Sequence, residues 1–456
     1  MTKDLTKGNI PKLLLGFLIP IIFGKLFQQV YSVVDAAIVG RTLGVTALGG
    51  VGSTGSLNFL ILGFCDGVTS GFALPVAQAF GAGNEKALRR YVTNSAILSV
   101  IITVILMALV LPLTGKLLTL MGTPESQYGF AYSYIFIIFL GIPATMLYNM
   151  LAGIIRSLGD SKTPIYFLLI ASVLNILGDI LLVSVLHMGV AGAAWATVGS
   201  QLISGVLCFF YMVRKFPILH MEKEDWNYEA ASGKYLLENG LPMGFQFSIT
   251  AIGGVILQSA VNSLGPVYVS AQAAGHRITM LLIAPFNAYL NVSSTFTGQN
   301  MGAGRFDRIK KGVLWGHVIL YVFWIVESVG ATLFGDRMLL LFLTKEDAAL
   351  VSEPAMLSIL CFTYGMFFLT TVQVVRLAIQ GMSFSRLALV AGMLEMIARA
   401  GCGLWLVPRF GYPAACLAGA IGWFLADLFL VPAFVVCFRK RRAEYENAAD
   451  GTVQSV

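Results

Sequence analysis

The sequence predicts an all-α polytopic membrane protein, built as two six-helix lobes related by an internal duplication, and three observations predict it. Only 12% of the 456 residues are charged and 57% are hydrophobic, whereas an ordinary soluble domain is ~25% charged. Apolar runs of the ~20 residues that a helix needs to cross hydrocarbon follow one another from about Pro11 to Phe438. A polar loop of the first half then returns in the second. Barrel strands would alternate and be much shorter, so helices must satisfy the backbone within lipid.

Roughly twelve spans pass the length test, near 11-39, 51-80, 91-118, 128-155, 164-187, 189-213, 236-262, 272-300, 312-338, 350-378, 386-407 and 412-437. The start, "MTKDLTKGNIPKLLLGFLIPIIF", has the basic front of a signal peptide. Its apolar part is too long for one and no small-x-small cleavage site follows, so it reads as a retained first span. The stretch 214-235, which opens "RKFPILHMEKEDWNYEAASGK", is polar and charged. It reads as a linker between an N-lobe of 1-213 and a C-lobe of 236-438, with 439-456 as a tail.

The duplication rests on several landmarks at one spacing. "QAFGAGNEKALRR" at 78-90 returns as "QNMGAGRFDRIKK" at 299-311, a shift of 221 positions. Leu43-Gly44 matches Leu264-Gly265 at 221, and Pro20 with Pro242 and Gly189 with Gly411 match at 222. Each copy holds an even number of spans, so the copies enter the membrane in the same sense, as in transporters whose halves rock about a midplane site.

The net charge of +7 does not call for nucleic acid, because the bases collect in loops at alternate span ends. Lys3, Lys7, Lys12, Lys86, Arg89, Arg90, Arg156, Lys162, Arg214, Lys215, Arg305, Arg308, Lys310, Lys311, Arg386 and the "RKRR" at 439-442 fall on one side, against Arg41, Lys116, Arg337, Lys345 and Arg409 on the other. This bias puts both termini in the cytoplasm. The six cysteines lie in apolar runs without CxxC spacing, the four histidines are scattered, and no G-x-x-x-x-G-K-[ST] occurs. No metal cluster, cofactor or ATP-driven cycle is expected.

Polar residues inside spans carry the chemistry. An ionised Asp at a helix centre disfavours insertion by ~2.5 to 3.5 kcal/mol, so it faces a bundle interior or water. Asp35 is one, and Gln28, Tyr31 and Ser32 precede it by seven, four and three positions, on one helical face. The fifth span, "SVLNILGDILL" at 172-182, sets Ser172, Asn175 and Asp179 at i, i+3 and i+7. Should the two faces meet, the two carboxylates share a pocket with an amide, and Thr197 of the sixth span is a further oxygen. Such a pair holds a proton, or coordinates Na+ through oxygens. Glu395 and Arg399 are spaced i, i+4 and are expected to neutralise each other. Lys25, Asp66, Arg277, Glu327, Arg376 and Asp427 are spread singly and receive no role.

"QQVYSVVDAAIVGRTLGVTALGGVG" at 28-52, the duplicated Q-x-x-G-A-G loops and "NILGDILLVSVLHMGVAGAAWAT" at 175-197 together resemble the multidrug and toxic compound extrusion (MATE) family, within it the bacterial DinF-like and MepA-like branch. The resemblance implies a twelve-helix bacterial inner-membrane exporter that expels cationic or amphiphilic small molecules in exchange for H+ or Na+. It places the cation site on Asp35, Asn175, Asp179 and Thr197, polar cavity positions on Gln28, Tyr31 and Ser172, and the bending proline on Pro20. The C-lobe lacks the acidic residues that NorM-like members carry on the seventh and tenth helices, so coupling is expected in the N-lobe. The chain is expected to act as a monomer in the bilayer and to be no enzyme. A flippase for a lipid-linked precursor is the alternative reading; it would want a cation-rich cleft, for which only Arg277 and Arg376 offer themselves.

Overall fold

A computed structural model of the chain describes residues 4–340 and 345–449; the end of the expected tail, 450–456, lies outside the described residues. The chain is helical, with no strand among the described residues. In order the helices are α1 (Ile10–Leu43), α2 (Val45–Ser53), α3 (Gly55–Gly81), α4 (Glu85–Leu120), α5 (Glu125–Leu140), α6 (Ile142–Ser157), α7 (Thr163–Asp179) and α8 (Val190–Lys215), then α9 (Ala230–Asn262), α10 (Pro266–Leu282), α11 (Ala284–Gly302), α12 (Phe306–Leu339), α13 (Lys345–Gly381), α14 (Ser385–Gly401), α15 (Val407–Phe410) and α16 (Tyr412–Ala449). Short π-helical turns, Ile180–Val185 and Cys402–Leu406, follow α7 and α14.

Counting α7 with its π turn (Thr163–Val185) and α14 with its π turn and α15 (Ser385–Phe410), ten helices among the described residues are long and apolar enough to span a membrane, and the pair α5 and α6, bent by 47°, makes an eleventh. The expected span 272–300 falls short of the same test. It folds as two helices, α10 of only 17 residues and α11, which carries Asn287, Asn291, Gln299 and Asn300.

The duplication is written into the backbone. Glycines with positive φ recur in pairs at the repeat spacing: Gly44 (φ 88°) with Gly265 (φ 110°), Gly83 with Gly304 (both 67°), and Gly189 (64°) with Gly411 (68°). Only glycine takes these angles without strain. The first pair starts α2 and α10, the second ends the Q-x-x-G-A-G loops, and the third stands before α8 and α16.

The chain forms two compact units. One comprises Ile19–Gly244, and the other Leu5–Leu18 with the chain from Phe245 on. These differ from the expected lobes of 1–213 and 236–438, because each repeat's first helix begins in the unit of the other repeat. Packing explains both exchanges. In the first unit, the start of α9 lies against α3, whose Gly67 and Gly71 leave room for the backbone at Met243 and Gly240. In the second, the segment before α1 is strapped to α11 and α12: Leu5 N donates to Gln299 Oε1 (2.9 Å), and Asn300 Nδ2 and Arg308 donate to Leu5 O. The repeated glutamine has the same office in both copies, since Gln78 Oε1 accepts from the Tyr235 hydroxyl at 2.9 Å. Pro20 and Pro242 lie beside the two crossing points, inside helices that run through them unbroken.

The linker belongs to the first unit. Arg89 pairs with Asp225 (3.0 Å), Arg90 with Glu229 (2.8 Å), and the Thr93 hydroxyl donates to Asp225 O (2.6 Å). Within that unit α8 packs on α5, α6 and α7, and α3 on α4 and α6; within the second, α13 is central and touches α10, α11, α12 and α16.

Candidate cation site

Four helices of the first unit supply the site: α1, α5, α7 and α8. The last two can approach because of glycines. A β-carbon on Gly178 would stand 3.0 Å from the Ala196 side chain, and one on Gly192 3.0 Å from the Leu182 carbonyl. This closeness brings Asn175 Nδ2 to the Thr197 hydroxyl, which accepts from it at 3.3 Å and itself donates to Ala193 O at 3.1 Å. Directly after Asp179 the α-helix widens into the π turn, a local change of winding that recurs at functional sites in helices.

Asp179 is fully buried and Asn175 nearly so, while Asp35 of α1 is half-buried. The carboxyl groups of Asp35 and Asp179 are immediate neighbours. No donor reaches Asp35 Oδ1, either Asp179 oxygen or Asn175 Oδ1. Nearly all buried polar atoms in proteins find a partner, so four unpartnered oxygens at one place stand out. A proton on either carboxyl becomes the donor that the other lacks. A hard cation would meet carboxylate, amide and hydroxyl oxygens, the donor set such ions prefer.

Of the remaining expected residues, Tyr31 sits beside Gln28 and faces both carboxyl groups. The Ser172 hydroxyl donates to Leu168 O at 2.9 Å, so its proton serves its own helix. Pro20 lies four turns before Asp35 on α1. One residue that sequence reasoning missed is Tyr134 of α5, buried beside Thr197 and facing Asp35, Tyr31 and Asp179. Its only signal was a hydroxyl within the apolar run "SYIFIIF". No hydrogen bond or ion pair ties Lys25, Asp66, Arg277 or Glu327 to this site among the described residues.

The MatE family model matches this chain twice, over residues 20–181 and 242–402, one match for each repeat. The chain belongs to the MatE family. Among relatives, it is 31% identical over 354 residues to the Bacillus subtilis (strain 168) protein named "Probable multidrug resistance protein YpnP", covering 77% of this chain and 78% of the relative. It is 32% identical over 200 residues, 43% of each chain, to "DNA damage-inducible protein F" of Escherichia coli (strain K12). Among solved structures, one described as "Crystal structure of MATE in complex with MaL6" superposes with a TM-score of 0.89 at 21% identity, covering 97% of this chain and all of the other. This MatE chain is therefore a multi-pass membrane protein with the fold of that transporter family.

The two MatE repeats share backbone and differ in polar groups. The repeat spacing of 222 carries Asp179, before one π turn, onto Gly401, before the other, and carries Asn175 onto Ile397 and Thr197 onto Gly419. The second unit has a different buried cluster. Arg376 donates to Glu395 Oε1 (2.9 Å) and to Gln373 Oε1 (3.0 Å), and Gln380 donates to Gln246 Oε1 (2.9 Å). The expected mutual neutralisation of Glu395 and Arg399 is thus secondary, at 3.7 Å. Arg376 reaches Glu395 head-on from the neighbouring α13, whereas Arg399 must fold back along the same helix.

Proposed function

We propose that this MatE-family protein is a secondary active multidrug exporter that exchanges H+ or Na+ for cationic or amphiphilic small molecules by alternating access. The observation that carries the reading is the pair Asp35 and Asp179, neighbours whose buried oxygens lack donors. Asn175 and Thr197 complete the cation site, Gln28, Tyr31 and Ser172 line the substrate cavity, and Pro20 is the hinge of α1. Arrival of a proton or Na+ relieves the repulsion between two carboxylates in a low dielectric. Its departure restores it. Because Asp35 and Asp179 stand on different helices, that change pushes α1 and α7 together or apart, and Pro20, which removes a backbone hydrogen bond, is where α1 can bend.

The driving force is adequate. One charge moved through ~100 mV is worth ~2.3 kcal/mol, enough for a roughly fifty-fold gradient of a neutral solute since ~1.4 kcal/mol is tenfold. The excess of basic loops on one side orients both termini to the cytoplasm, and the bacterial relatives support a cytoplasmic (inner) membrane location. The chain works as a monomer. Arg376, the buried arginine that a pyrophosphate-holding flippase would need, is committed to Glu395 and Gln373, which counts against that alternative.

The test is ethidium efflux from cells under imposed pH and Na+ gradients. Wild type should pump in response to one of the gradients, and Asp35→Asn and Asp179→Asn should each lose that response. Normal pumping by both variants would refute the site.

A further inference from the structure

The charged cluster of the second unit has no assigned task in the exchange reaction, and its geometry leaves it unfinished. The Arg376 side chain is only 9% exposed. Two of its nitrogens are committed, to Glu395 and Gln373, yet its Nε has no acceptor. Asp427 of α16 stands in the field of both Arg376 and Glu395, and its buried Oδ1 has no donor. The centre thus holds two guanidinium groups, Arg376 and Arg399, and two carboxyl groups, Glu395 and Asp427. One donor and one acceptor are unfilled.

We propose that Asp427 is a second proton-binding group of this protein, and that its protonation decides whether Glu395 holds Arg376 alone or shares it. Ionised, Asp427 competes with Glu395 for the guanidinium, drawing α13 toward α16. Protonated, it stops competing, and Arg376 is left to Glu395 on α14. The charged groups facing Asp427 come from both helices packed against it, Arg376 from α13 and Glu395 from α14; Arg399 of α14 reaches only Glu395. The π turn Cys402–Leu406 brings no charge, and Arg409 of α15 precedes the start of α16, whereas Asp427 lies about four turns into that helix. The guest here is a proton and no metal ion. An alkali cation needs several oxygen ligands, and those of Glu395 and Gln373 are engaged by guanidinium donors, whereas a proton needs only the one open oxygen of Asp427. In this respect the centre differs from the all-oxygen site of the first unit, which admits both.

The test is infrared difference spectroscopy of the purified, detergent-solubilised protein titrated in pH, performed in an Asp35→Asn/Asp179→Asn/Glu327→Gln background, which removes the other buried carboxyl groups that lack a donor. A protonated-carboxyl band should persist in that background, vanish when Asp427→Asn is added, and survive at an altered frequency in Asp427→Glu, with no displacement by Na+. A band that Asp427→Asn leaves unchanged, or one that Na+ displaces, overturns the proposal. Asp427→Glu keeps the question answerable should the asparagine variant fail to fold. Because the background already lacks the first-unit carboxylates, failure here leaves the exchange reading standing, and failure of the efflux test leaves this one standing.

Discussion

Gly71 of α3 and Gly240 of α9 lie so close that a β-carbon added to Gly71 would stand 2.5 Å from the Gly240 Cα. One turn along, a β-carbon on Gly67 would meet Met243 O at 2.5 Å. Lipid offers no hydrophobic drive to join helices, so close backbone approach through small residues supplies the attraction instead. This contact holds the start of α9 in the first unit.

Gly71→Leu should therefore be poorly tolerated. Overpacking costs typically 1–3 kcal/mol where neighbours can shift, and here the obstacle is backbone, which cannot. Lower yield and a lower unfolding temperature in detergent are expected, whereas Gly254→Ala, whose β-carbon would meet nothing within 4 Å, should be neutral or slightly stabilising. Equal behaviour of the two variants would contradict the packing account.

Thr197→Val keeps the shape of the side chain but removes the oxygen that accepts from Asn175 Nδ2. The buried amide is then left without its acceptor, at about 1–3 kcal/mol. If Na+ is the coupling ion, the Na+ concentration for half-maximal efflux should rise on the order of tenfold, ~1.4 kcal/mol. If H+ is, the pH profile of efflux should stay near that of wild type. Measuring both dependences on one variant separates the ions.

Asp160, in the loop between α6 and α7, offers a pH prediction outside the spans. Burial pushes its carboxyl up, but the hydroxyl and amide of Thr163, the Tyr211 hydroxyl and the Lys162 amide all donate to it, and together they hold it below the ordinary carboxylate range. A carboxylate held low in the folded state contributes stability that is present above its unfolded value of ~4 and is lost as pH falls through its folded value. Asp160→Asn should thus melt below wild type at pH 7, with the difference shrinking below about pH 4. A gap independent of pH would show that charge is not what these bonds exploit.

Gln299→Ala removes the acceptor of the Leu5 amide, itself fully buried. An unsatisfied buried N–H costs about 1–3 kcal/mol, so hydrogen exchange across Leu5–Gly8 should quicken by tenfold or more, while exchange in α7 and α8 stays unchanged.

What could be read from sequence followed the rules of lipid. The helical class and the duplication were legible because spans must be long and apolar, and because glycines such as Gly189 and Gly411 are fixed by backbone angle. The faces of Asp35 and of Asn175 with Asp179 were legible from helical spacing alone. Tyr134 was not, since nothing in its own helix marks which side meets α8. The partner of Glu395 was misjudged because Arg399, four residues on, is visible in a one-dimensional reading and Arg376, on another helix, is not. The exchange of leading helices was invisible too, because it depends on contacts between segments more than a hundred residues apart, Gly67 and Gly71 against α9 and Leu5 against Gln299.

That exchange has a consequence for how such a chain can be assembled. A lone copy of the repeat would present a bundle missing its own opening segment, while carrying a loose one that fits a sister bundle. Two separate polypeptides could satisfy both needs only by trading arms, the reciprocal arrangement of a domain-swapped dimer. Joining them in tandem makes the trade intramolecular, so halves severed near residue 225 and produced together should still recombine, whereas either produced alone should not persist.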